Sequence, residues 1–320
     1  MELKIEILKA LESNRGKDVS GQALAEKLGV SRNAIWKAVN AMKREGYQIF
    51  AGQNRGYRLA EGNDMISAVG IAESIRHRTK GLAIYTHKEI DSTNNEAKRL
   101  IADGRNGMAL IVSEGQTAGR GRQGKTFYSP AQTGIYMTFS FPTTLQMTDA
   151  VTVTSATAVA VFRAIRELTG IETEIKWVND IYLGGKKICG ILTEAISDFE
   201  SGRVQNIIIG IGLNYRTTEF EGDLQYTAAS LNPTGVNRNM MIARILDCLI
   251  DAMQNLGADE YMDLYRKHSM VIGHDVEYTV NGERYTGRAV DIDEDGGLVV
   301  LHSNGEKEVL RSGEITLRTR

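Results

Sequence analysis

Cysteine is scarce in this 320-residue chain: only Cys189 and Cys248 occur. Two thiols exclude a disulfide scaffold and any multi-cysteine metal cluster, and they fit a reducing, cytoplasmic setting. Long apolar runs are missing as well. The longest, IIIGIGL at 207–213, is far too short to cross a bilayer. The opening MELKIEILKALESNRGK interleaves acids and bases with its apolar positions, unlike a secretory signal. Histidine number is low too, and the five (77, 87, 268, 274, 302) show no metal-ligand spacing. With 42% hydrophobic and 24% charged residues, the chain reads as a soluble globular protein long enough for two or three domains. No membrane and no resident metal are expected.

Net charge is small, at −2, but unevenly spread. Residues 1–60 hold eleven Lys and Arg against six Asp and Glu, a net of +5, which leaves −7 on the rest. A basic head on an acidic body points to nucleic acid at the head. Leu3, Ile7, Leu8 and Leu11 fall on one helical face. Ser20 caps a second helix, GQALAEKL, that stops at Gly29; Ser31 caps a third, RNAIWKAVNAMKRE, that ends at Gly46. Ala25, Gly29 and Ile35 supply the small residue, turn glycine and buried branched residue of a helix-turn-helix. With Ile35, Val39 and Met42 turned to the core, Arg32, Asn33, Lys37, Asn40 and Arg44 are left to reach bases and phosphates. YQIFAGQNRGYRLA then reads as a hairpin around Asn54-Arg55-Gly56, its tip carrying a cation. The bland alternative is a small helical interaction module, and the wing and the charge favour DNA over it.

Gly119, Gly121 and Gly124 in GQTAGRGRQGKTFYSP (115–130) match G-x-G-x-x-G. A dinucleotide fingerprint needs a helix after the glycines, to hold the pyrophosphate. Here Pro130 and the alternation Ile135, Met137, Phe139, Phe141 read as a strand, and no acid for a ribose follows at the required distance. A dehydrogenase is excluded, and without H-R-D or D-F-G so is a kinase. Arg120, Arg122 and Lys125 instead put three cations into a glycine-rich loop, suited to wrapping a nucleoside triphosphate or an acyl-adenylate. A solvated surface loop has the same composition.

Three further blocks decide between them. EIDSTNNEAK (89–98) follows the strand LAIYTHK and opens a helix; EIKWVNDIYLGGKKICGILTEA (174–195) holds two turns and a strand; NIIIGIGLNY (206–215) is a buried strand. Together, D-S-T-N, G-R-G-R-x-G, K-W-x-N-D with K-x-x-G-I-L, and I-G-x-G-x-N resemble the bacterial biotin–protein ligases, and with the winged head the bifunctional BirA type, ligase and biotin-operon repressor in one chain. The resemblance covers essentially the whole chain.

The resemblance implies a biotin pocket of Ser92, Thr93, Asn94 and Gln116, closed by Arg120, Gly121 and Arg122, with Lys187 on carboxylate or phosphate oxygens. It implies an adenylate site of Arg120, Arg122, Lys125, Asn179 and Asn214, and catalytic roles for Arg122, Lys187 and Asp180, the last on the incoming lysine or on Mg²⁺. Lys176 and Trp177 serve equally well as packing. Val178, Gln123 and Phe127 depart from the family's frequent proline, arginine and tryptophan, which touches affinity more than activity. The reaction implied uses ATP and Mg²⁺ to turn biotin into biotinyl-5′-AMP. A lysine of a biotin carboxyl carrier protein then displaces AMP, and biotinyl-AMP acts as corepressor at operator DNA, through a ligand-promoted homodimer. A lipoate ligase shares the chemistry, and a small-molecule-sensing transcription factor without turnover is the alternative of another class.

From residue 270 short strands meet at Asn281-Gly282, Gly296-Gly297 and Asn304-Gly305, turns suited to hairpins. The fold expected is therefore α+β and multidomain: a winged helix-turn-helix over 1–64, a mixed-sheet catalytic domain over 65–269, and an SH3-like barrel over 270–320.

Overall fold

The computed structural model describes residues 2–52, 55–76, 79–146, 149–198, 203–280, 283–313 and 315–317. The chain divides into two compact units, Met1–Arg78 with Thr234–Arg244, and Thr79–Pro233 with Ile245–Arg320.

In the first unit, α1 (Glu2–Glu12), α2 (Gly21–Leu28) and α3 (Arg32–Glu45) precede β1 (Ile49–Gly52), β2 (Gly56–Leu59) and α4 (Ala68–Ser74). The Ser20 and Ser31 hydroxyls accept from the Ala23 and Ala34 N–H groups, caps worth about 1 kcal/mol each. Gly29 and Gly46 end their helices at φ 65° and 111°, where a side chain is strained. Ile7, Leu11, Ile35, Val39, Met42 and Leu59 form the core, each of the order of 2 kcal/mol when fully buried. The wing is clamped to the helices by paired backbone bonds of 2.8 Å between Val19 and Tyr57. Asn54, read as part of the wing tip, lies outside the described residues. The unit also takes in the start of α8 (Arg238–Gln254). There the buried Arg238 guanidinium bonds the Asp64 carboxylate at 3.1 Å and Asn239 bonds the backbone of Met65 and Ser67.

The second unit is built on a seven-stranded mixed sheet. Its members are β3 (Ala83–His87), β4 (Ala109–Ser113), β5 (Ile135–Pro142), β6 (Glu174–Lys176), β7 (Asp180–Leu183), β8 (Lys186–Ser197) and β9 (Val204–Leu213), in the order β3-β4-β5-β9-β8-β7-β6. Among the described strands of this sheet, β3 and β4 are the pair that runs parallel; they are joined through α5 (Thr93–Ala102), as a parallel pair requires a crossover. The Ala/Val/Thr-rich α6 (Ala150–Thr169) is buried along most of its length. α7 (Leu224–Thr227) and α9 (Asp259–Lys267) complete the helices.

After α9, five antiparallel strands follow: β10 (Asp275–Val280), β11 (Glu283–Ile292), β12 (Leu298–Leu301), β13 (Lys307–Leu310) and β14 (Ile315–Leu317), in the order β13-β12-β11-β10-β14. Trp177 fixes this sheet to the seven-stranded one, its indole N–H donating to the Gly296 carbonyl at 2.9 Å. Trp177 is buried in this contact. No helix among the described residues is long and apolar enough to cross a membrane.

Candidate active site and nucleic-acid interface

Gly190 pairs with Gly212, and Leu192 with Gly210, across β8 and β9. A Cβ on Gly210 would stand 2.2 Å from Asn94 Oδ1, and one on Gly212 would stand 2.5 Å from the Phe127 ring. The bare sheet thus lets Asn94 and Phe127 lie close on it, and both line a pocket of about 240 Å³. The strand β5 after the glycine-rich stretch is as the alternation required, and no helix follows Gly124.

One wall of the pocket is neutral and hydrogen-bonding: Ser92, Thr93 and Asn94 from the start of α5, with Gln116 beside them. Ser92 sits at the N-cap of α5, yet its hydroxyl caps no backbone N–H. The Gln116 side-chain oxygen takes that place, accepting the Thr93 N–H at 2.9 Å and leaving the serine to the pocket. Asp91, of the same motif, braces the helix from outside. It accepts from Arg99 at 2.7 Å and Asn95 at 2.8 Å, and the Arg99 bond holds its carboxyl well below the usual range.

The opposite side is cationic. Arg120, Gly121, Arg122, Lys125, Asn179 and Lys187 all line it. The loop is locally built: Arg120 bridges Thr126, Gly121 N–H donates to the Lys125 carbonyl at 2.7 Å, and a 3-10 turn spans Arg122–Gly124. Gln123 (φ 54°) and Gly124 (φ 75°) are left-handed there, a geometry glycine takes without strain. Arg122 donates to Asn179 Oδ1 at 3.2 Å, while the Asn179 amide donates to the Ile191 carbonyl at 2.8 Å; the asparagine thereby moors the loop to β8. Lys187 Nζ stands 2.7 Å from an Asp180 carboxylate oxygen.

Two residues expected in the site stand apart from its surface. Asp180 reaches it only through Lys187. Asn214 is buried behind it, its amide donating to the Ala229 carbonyl at 3.1 Å. Cys189 is fully buried, and burial holds its thiol above the ordinary range, which suits packing. Behind the neutral wall lie Thr138, Lys98 and Glu194, which sequence reading missed: neighbours here across two strands and a helix, they share no local spacing.

In the first unit Arg32, Asn33, Lys37 and Arg44 are exposed along α3, Asn40 is half-buried, and Arg55 is exposed in the β1–β2 turn. Trp36, 55% exposed, belongs to the same face and was also missed. Its signal was the spacing, one turn after Arg32 and one before Asn40. A groove of about 470 Å³, lined among others by Arg32, Trp36 and Tyr57, runs between α3 and the hairpin.

Family models match three segments: the biotin/lipoate A/B protein ligase family over residues 87–214, an HTH domain over 4–58, and the biotin protein ligase C-terminal domain over 271–318. The bifunctional ligase/repressor BirA of Bacillus subtilis (strain 168) is 32% identical over 91% of each chain. The chain belongs to the bifunctional ligase/repressor BirA family. The biotin--[acetyl-CoA-carboxylase] ligase of Mycobacterium tuberculosis is 31% identical over 64% of this chain and 77% of its own. Among solved structures, the biotin protein ligase of Aquifex aeolicus in complex with biotin and ATP superposes with a TM-score of 0.61 at 25% identity, over 76% of this chain and all of that one. The three segments of this family correspond to the helix-turn-helix, the mixed sheet and the C-terminal antiparallel sheet described above.

Proposed function

We propose that this chain is an ATP-dependent biotin–protein ligase that also represses transcription by binding DNA, with biotinyl-5′-AMP as both intermediate and corepressor. The observation that carries the reading is the two-sided pocket, with neutral hydrogen-bonding groups on one wall and Arg120, Arg122, Lys125 and Lys187 on the other. Such a site suits a molecule with an uncharged donor–acceptor ring at one end and a carboxylate to be activated at the other. Ser92, Thr93, Asn94 and Gln116 bind the ureido ring; the four cations hold the carboxylate and the α-phosphate.

The biotin carboxylate attacks the α-phosphorus of ATP and pyrophosphate leaves. Charge builds on the phosphoryl oxygens, and the loop arginines and Lys187 stabilise it in place. Asp180 fixes Lys187 rather than touching substrate, and Asn179 and Asn214 position the loop and the strand end. The anhydride formed would hydrolyse in bulk water, so covering by the Arg120–Lys125 loop protects it. A carrier lysine amine then attacks the acyl carbon and AMP leaves. Mg²⁺ enters as the counter-ion of the ATP phosphates.

The carrier is a biotin carboxyl carrier protein of the acetyl-CoA carboxylase class, the one named for the mycobacterial relative. The α3 face, with Arg32, Asn33, Lys37, Asn40 and Arg44, reads operator DNA in the major groove while Arg55 reaches the backbone from the wing. Two heads on a two-fold operator require a dimer, favoured by biotinyl-AMP. The C-terminal strands close as an SH3-like barrel that serves the carrier or ATP, and the setting is the cytoplasm. Labelling of a purified carrier domain with biotin and ATP tests turnover; binding of biotin with no labelling would favour a sensor that does no chemistry.

A further inference from the structure

Hydrogen-bond direction in the neutral wall is fixed by a residue that does not line the pocket. Glu194, on β8 and half-buried, accepts from Lys98 Nζ at 2.7 Å and from Asn94 Nδ2 at 2.8 Å. An ionised carboxylate can only accept, so the Asn94 amide must turn its nitrogen to Glu194 and its oxygen the other way. That oxygen meets the Thr138 hydroxyl at 2.6 Å. A Cβ on Gly210 would lie 2.2 Å from Asn94 Oδ1, so the amide rests directly on the bare sheet there.

Gln116 is fixed in the same way. Ser129 donates its hydroxyl hydrogen to the Phe127 carbonyl at 2.9 Å and so must accept from Gln116 Nε2, at 3.0 Å. The Gln116 oxygen therefore faces Thr93. Thr93 and Thr138 stand 2.8 Å apart, hydroxyl to hydroxyl. Between them they have two hydrogens, and three short contacts compete for those hydrogens: Asn94 Oδ1, Gln116 Oε1 and the contact between the two hydroxyls. Both hydrogens stay inside the wall, and Thr93 shows the pocket only a lone pair.

We propose that Glu194, held by Lys98, is a positioning residue that sets the polarity of this pocket through Asn94 and Thr138, making Thr93 an acceptor that selects ligands with an N–H at that point. The inference rests on the ligase reading and gives its substrate choice a cause. A cyclic urea offers such an N–H. A dithiolane, the head group of lipoate, offers none and would leave the Thr93 lone pair buried without a partner. The same logic rejects a ureido ring methylated on nitrogen.

Calorimetric titration of the full chain with biotin, with ureido-N-methylated biotin and with ATP tests it, for the wild type, Glu194→Leu and Glu194→Gln. Glu194→Leu frees the Asn94 amide to turn, so biotin binding should weaken at least tenfold and the preference for biotin over the N-methyl analogue should shrink by a similar factor. ATP binding and the thermal midpoint should be unmoved. Glu194→Gln keeps one oxygen for Asn94 and should lose less than Glu194→Leu. Equal losses for biotin, the analogue and ATP would mark Glu194 as merely structural and overturn the proposal. So would biotin binding within twofold of wild type in Glu194→Leu. If the leucine variant does not fold, the glutamine variant decides by the same ratio of biotin to analogue. A wild type that binds no biotin at all contradicts the ligase reading, and this inference with it.

Discussion

In the proposed chemistry, Lys187 is the residue that carries the most weight. It lines the pocket and is held from behind by a carboxylate, Asp180, at 2.7 Å. Lys187→Ala removes a donor aimed at developing phosphoryl charge, an effect of the order of 10²–10³ in rate. We expect adenylation to fall by at least about 10² while the circular dichroism spectrum is unchanged; full activity would remove Lys187 from the reaction. Asp180→Asn should cost less, since the ammonium remains but is no longer held. Tyr182 offers a check on the packing around this pair. Burial, and then the nearby Asp180 carboxylate, push its phenol up to about 12 from an ordinary 10. A raised acid pKa means the folded state resists ionisation: its contribution is full below about pH 10 and is lost as pH rises to about 12. Tyr182→Phe should blunt the loss of stability in that window, measured by urea unfolding at stepped pH.

The elements that build the site are β8, β9, α5 and the glycine-rich loop, and on them the sequence was readable to different degrees. The strand after Gly124 was evident from alternation, and with the missing ribose acid it removed the dinucleotide reading. The start of α5 was evident from its short polar residues, but the capping by Gln116 was not, since its partner lies 23 residues away. Asn214, implied as a contact residue, lies behind the pocket with its amide donating to the Ala229 carbonyl. Nothing near Asn94 in the chain announces Glu194, one hundred residues on; only the folded sheet brings them together. Gly210→Ala tests the floor. Its methyl must displace the Asn94 amide, so overpacking of about 1–3 kcal/mol is expected, together with weaker biotin binding; an unchanged thermal midpoint and unchanged binding would contradict the described contact. On α3, Trp36→Ala should weaken duplex binding with little change in its salt dependence, because an apolar contact releases no counter-ions. Arg32→Ala should lower the salt slope by about 1. Filter binding across a salt series separates the two.

At the scale of the whole molecule, a basic head and an acidic body were legible from charge alone, and the helix-turn-helix model over residues 4–58 agrees with the head. Composition could not show that the head's unit also draws on Thr234–Arg244, where Arg238 meets Asp64 across 174 residues of chain. If biotinyl-AMP is the corepressor, it must favour the dimer by a differential affinity. Sedimentation velocity with and without biotinyl-AMP should then show a tighter dimer with it, and an identical monomer–dimer constant would break the link between ligase and repressor.

The central claim is that this pocket activates biotin. The most direct measurement is the exchange of labelled pyrophosphate into ATP by the purified chain with Mg²⁺, run with biotin, with lipoate and with neither acid. The account predicts exchange with biotin alone. Exchange with lipoate instead, or with neither acid, would contradict it.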